Sequence, residues 1–94
     1  MNEDQPHQLP IEPELDLHTF RPEDLGDLIP DYLEACRPKG ILEVRLIHGK
    51  GIGNVKRSVD AILRRLDFVE KFSPASQLYG GLGATMVRLK PISN

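Results

Sequence analysis

Ninety-four residues hold one domain at most, with a modest core and no deep internal cavity, so a ligand would have to be met at a surface groove or loop cluster. Apolar and charged contents of 39% and 28% describe a globular chain. No apolar run approaches a membrane span, and no basic start followed by an apolar stretch marks secretion, so a soluble cytoplasmic protein is expected. The net charge of −2 hides an asymmetry: residues 1–34 carry ten acids and one base, residues 35–94 eleven bases and four acids. One face can then carry positive potential in an acidic protein, although both runs also fit ordinary solvated helix faces.

Residues 1–13 are polar, with prolines at 6, 10 and 13, and read as a flexible or surface-draped arm that includes a solvated His7. Residues 14–94 form the domain. Glu14–His18 is a short strand in which Leu15 and Leu17 face one way and Asp16 and His18 the other. Pro22, Glu23 and Asp24 suit the first turn of a helix. Leu25, Leu28, Ile29, Tyr32, Leu33 and Cys36 follow at helical spacing and define its apolar stripe. Pro30 lies off that stripe and removes one backbone hydrogen bond, which predicts an outward kink. Pro38 and Gly40 end the helix. The single cysteine, Cys36, excludes an internal disulfide, fits a reducing compartment and is read as a core residue.

Ile41–His48 is β-branched, alternating and bounded by glycines, and is the clearest strand. A glycine-rich turn through Gly49, Lys50, Gly51 and Gly53 leads into a second helix. Its buried stripe is Val55, Val59, Ile62, Leu63 and Leu66, with Lys56, Arg57, Arg64 and Arg65 outside it. Phe68–Phe72 is a third strand, residues 73–83 a loop of small residues, and Ala84–Lys90 a last strand stopped by Pro91. The order is β-α-β-α-β-β. This is a two-layer α/β fold with a four-stranded mixed sheet and both helices on one face. The two strand–helix–strand units imply parallel pairs with right-handed crossovers, and the last strand returns antiparallel. The other sheet face is open or covered only by the arm.

Parallel neighbouring strands end at one edge of the sheet, where open α/β sheets bind ligands. Asp16, His18, His48 and the turn 49–53 are therefore expected to converge there. Backbone N–H groups at a helix start favour an anion such as phosphate, and Lys50 adds charge, though the turn also reads as a plain glycine-dependent strand-to-helix connection. The set suits phosphodiester cleavage. One histidine takes a proton from water or from a ribose hydroxyl, while the turn amides and Lys50 stabilise negative charge. Asp16 either orients a histidine or holds a divalent cation, with Mg²⁺ or Mn²⁺ the candidates. A metal site of Asp16, His18 and His48 is a further option, and so are hydrogen-bonded structural histidines.

Leu15-Asp16-Leu17-His18, then His48-Gly49-Lys50-Gly51, then Gly80-Gly81-Leu82-Gly83-Ala84-Thr85-Met86-Val87 together resemble the Smr, or small MutS-related, domain over about residues 14–90. The resemblance implies a β-α-β-α-β-β fold similar to the C-terminal domain of translation initiation factor three. It also implies nucleic-acid binding, with DNA-nicking or endoribonuclease activity in several members. The family's two cleavage-linked motifs fall on Asp16 and His18 and on His48, Gly49 and Gly51. Lys56 stands where arginine is frequent, close to the phosphate-facing turn. Thr19 replaces a usual glycine, and Ile52 a usual Thr or Ser.

Three functions follow. The first is a DNA-nicking endonuclease, with repair or recombination as its setting. The second is a non-catalytic DNA- or RNA-binding module whose backbone contacts include Lys50, Lys56, Arg57, Arg64, Arg65, Arg88 and Lys90. The third is a protein-interaction adaptor that uses the open sheet face or the acidic arm. On any of them no membrane partner is expected. His48, read as a strand-end residue with little core packing, is expected to be removable without loss of the fold.

Overall fold

The computed structural model describes residues 12–49, 54–76 and 83–92. Its elements are strand β1 (Glu14–Asp16), helix α1 (Leu25–Cys36), strand β2 (Glu43–Ile47), helix α2 (Asn54–Arg64), strand β3 (Val69–Pro74) and strand β4 (Ala84–Leu89). A 3₁₀ turn, Pro22–Asp24, leads into α1. Another, Arg37–Lys39, leaves it and ends at Gly40, whose φ of 75° is the left-handed value glycine tolerates. Pro30 lies inside α1, and the carbonyl it leaves without a donor belongs to exposed Gly26, within reach of water.

The sheet order is β1-β2-β4-β3. β1 and β2 are parallel, with Glu14 opposite Arg45 and Asp16 opposite Ile47. β4 is antiparallel to both β2 and β3. The expected parallel pairing therefore holds for β1 and β2 but not for β2 and β3. These two run the same way, but β4 lies between them and takes the hydrogen bonds of both. The third strand also extends past Phe72 to Pro74. A proline is tolerated there because β3 is an edge strand and one side of its backbone needs no partner.

Register divides the side chains between two faces. Leu15, Val44, Leu46, Thr85, Val87 and Phe72 share the face covered by α1 and α2; Glu14, Asp16, Arg45, Ile47, Met86 and Arg88 share the other. Leu25, Ile29, Leu33 and Cys36 of α1 and Val59, Ile62 and Leu63 of α2 pack with Val44, Leu46, Val87 and Leu89 into one core. Burying each such side chain contributes roughly 1.5–3 kcal/mol. Cys36 is wholly buried, and burial pushes its thiol pKa up, as a core cysteine requires. The Tyr32 hydroxyl, its own pKa raised by burial, donates to the Glu12 carbonyl and ties the segment before β1 to α1. Among the described residues no helix is long and apolar enough to cross a membrane.

Candidate active site

Asp16 closes β1 on the open face, and His18 follows two residues on. The Asp16 carboxylate accepts twice through Oδ1: from the His18 backbone N–H at 2.9 Å and from ring Nδ1 at 2.6 Å. A carboxylate only accepts, so Nδ1 carries the proton and Nε2 presents a lone pair. The backbone donor first, and the ring second, hold the Asp16 carboxyl below its ordinary pKa of 3.8. Both side chains are more than half exposed. The dyad is thus oriented by its own hydrogen bonds and open to a ligand.

The other end of the His18 ring meets the turn after β2. Gly49 adopts φ 81°, and a Cβ built on it would lie 2.7 Å from His18 Nε2. Glycine is required there twice, by the backbone angle and by the imidazole. The turn is fixed from behind, because the N–H groups of both His48 and Gly49 donate to the Gly83 carbonyl, at 3.0 and 2.9 Å.

His48 does not join the dyad. It continues the parity of Val44 and Leu46, so its ring goes to the helix side and is only 7% exposed. Nδ1 donates to the Gly49 carbonyl at 3.0 Å. Nε2 lies 2.9 Å from Thr85 Oγ1, which donates to it when the ring is neutral. The expectation of a histidine with little packing is therefore corrected: His48 is a buried, doubly bonded group. The convergence of Asp16, His18 and Gly49 is observed, while the two imidazoles lie on opposite sides of the sheet end. Thr85 escaped the sequence reading. Its signal was a polar residue in register with Val87 and Leu89 in an otherwise apolar alternation.

The remaining candidates divide. Lys50, Gly51 and Gly53 lie outside the described residues. Lys56 is engaged one turn along α2, with Nζ 3.0 Å from Asp60 Oδ2. Arg57, Arg64 and Arg65 are exposed on the side of α2 opposite Val59 and Leu63, and no ion pair holds them among the described residues. Arg88 is neutralised by Glu43 at 3.1 Å and Glu70 at 3.9 Å; Lys90 is exposed. Among the described residues no three His, Cys, Asp or Glu side chains gather as metal ligands, so the proposed set of Asp16, His18 and His48 is not assembled. A groove of about 400 Å³ lined by Glu43, Lys71, Ser73, Met86 and Arg88 lies on other strands than the dyad.

Comparison with known proteins gives one family. The model of the Smr domain matches residues 15–90. The endonuclease MutS2 of Carboxydothermus hydrogenoformans is 40% identical over 77 residues, which are 82% of this chain and 10% of that protein. That of Thermomicrobium roseum is 35% identical over 80 residues, again 10% of its length. The chain thus spans about a tenth of these relatives. Among solved structures, the Smr domain of Thermus thermophilus MutS2 superposes with a TM-score of 0.77 at 36% identity, covering 83% of this chain and 98% of that one. YdaL of Escherichia coli, a stand-alone small MutS-related protein, gives 0.76 at 29% identity, covering 86% and 66%.

Proposed function

The chain belongs to the Smr domain family, and from that premise we propose that it is a DNA-nicking endonuclease with His18 as general base. The observation that carries this reading is the 2.6 Å contact between Asp16 and His18, which leaves Nε2 unprotonated at the Gly49 turn. In the reaction, Nε2 takes a proton from water as the water oxygen attacks phosphorus, and Asp16 stabilises the imidazolium that forms. The P–O bond to one deoxyribose breaks, and its oxygen leaves with a proton. A positioned base of this kind contributes roughly 10²–10⁴-fold.

His48 is a positioning residue. It holds the Gly49 carbonyl from the buried side and thereby sets the backbone against which the His18 ring lies. The residues described offer no three-ligand metal site, so every step uses the chain's own groups.

Supercoiled plasmid incubated with wild type, His18→Ala and Asp16→Ala in Mg²⁺, Mn²⁺ or EDTA tests the reading. Conversion to open circle by wild type alone supports it, and persistence in EDTA assigns the chemistry to the dyad. Equal nicking by His18→Ala overturns it. A second reading, binding without cleavage, draws on exposed Arg57, Arg64 and Arg65. It expects affinity that falls steeply with salt and no open circle under any condition.

A further inference from the structure

Phe20 is one of two large apolar side chains exposed among the described residues, at 39%, and it is not among those packed against the core. It stands two residues beyond His18, in a turn closed by its own N–H to the Leu17 carbonyl at 3.2 Å. Arg21 beside it is held by Asp24 at 3.3 Å, which steadies the segment. Neither core packing nor the Asp16–His18 dyad accounts for an aromatic ring at this place.

The chemistry of the ring limits what it can meet. Phenylalanine has no charge and no donor, so it gains nothing from phosphate. Its favourable contact with nucleic acid is face to face with a base. In a duplex the bases are stacked inside, and exposing one costs a few kcal/mol. Two residues span at most ~7 Å, and successive nucleotides of one strand rise ~3.4 Å. Phe20 therefore sits within a nucleotide or two of a phosphate met by His18.

We propose that Phe20 is a stacking platform for an unpaired nucleobase beside the scissile phosphate, so that the preferred substrate carries an unpaired nucleotide at the cut. This rests on the nucleic-acid reading above and adds to it a substrate class and a specificity-determining residue. Arg57, Arg64 and Arg65 lie on the outer side of α2 and meet backbone in any substrate, so they do not discriminate paired from unpaired sites.

The test is the ratio of two dissociation constants, for a fully paired DNA duplex and for the same duplex with a short central gap. Fluorescence anisotropy reads both, and a gel confirms intact oligonucleotide. A ratio cancels any loss of folded protein in a variant. Wild type is expected to favour the gapped duplex by roughly 5- to 150-fold, the range of one base stacked on an aromatic ring. Phe20→Trp keeps that preference, whereas Phe20→Leu, apolar but without a flat face, brings the ratio close to unity. Wild type without a preference, or Phe20→Leu with the wild-type ratio, overturns the assignment of Phe20 while leaving nucleic-acid binding intact. Failure of wild type to bind either duplex at low salt overturns the nucleic-acid reading itself, and this inference with it.

Discussion

His18 and His48 end neighbouring parallel strands, yet their surroundings differ in every respect that matters for chemistry. His18 is more than half exposed, bonded through one nitrogen to a carboxylate and free at the other. His48 is buried, and both its nitrogens are spoken for, by a backbone carbonyl and by Thr85. One imidazole can exchange protons with a ligand, while the other fixes the chain on which the first leans. The difference comes from strand parity. A one-residue change of phase sends a side chain to the opposite face of a sheet, whatever edge it ends on.

The comparison breaks most sharply at His18. His18→Ala should lose about 10²–10⁴-fold in nicking rate, with an unchanged thermal midpoint. A variant that unfolds more easily, or that still nicks, would put the two histidines in one class. His48→Ala should do the reverse. It removes a buried ring and leaves the Thr85 hydroxyl without its partner, costing about 1–3 kcal/mol, with lost activity following the loosened turn. Thr85→Val, nearly the same shape, should weaken folding by a smaller part of that amount, because it deprives only His48 Nε2; urea denaturation of both variants measures the pair.

Gly49→Ala tests the point where the two residues meet. The left-handed backbone costs about 1–2 kcal/mol, and the methyl group enters the space of His18 Nε2. Nicking should fall further than stability alone would take it, a split visible in parallel plasmid and denaturation assays. The smallest effect is expected at Asp16. Its folded-state pKa is lowered, so its stabilising contribution is present above the ordinary carboxylate value of 3.8 and is lost as pH falls through the lowered one. Denaturation midpoints of wild type and Asp16→Asn should differ at neutral pH and converge in acid.

Much of this was legible in residue order. The apolar stripes of both helices, from Leu25 to Cys36 and from Val55 to Leu66, are buried or half-buried as helical spacing requires. The alternation of Leu15 and Leu17 against Asp16 and His18 is equally direct. The position of β4 between β2 and β3 was not legible, because an alternating strand states which residues share a face and not which strand lies beside it. His48 was misjudged for a related reason. Its parity with Val44 and Leu46 was visible, but comparing it with His18 requires the register that sets Asp16 opposite Ile47. Thr85 could be valued only once that register brought it to the same face as His48.

The placing of β4 also bears on how the domain comes together. The strand that joins the two halves of the sheet is the last of the four to leave the ribosome. Until Ala84–Leu89 is synthesised, β2 and β3 have no common neighbour, and each holds an unsatisfied ladder. Pairing across such sequence separation slows folding and leaves strand edges open in the meantime. A stop anywhere before Leu89 would therefore yield two unjoined fragments and not a smaller domain, and folding should begin only as the final strand arrives.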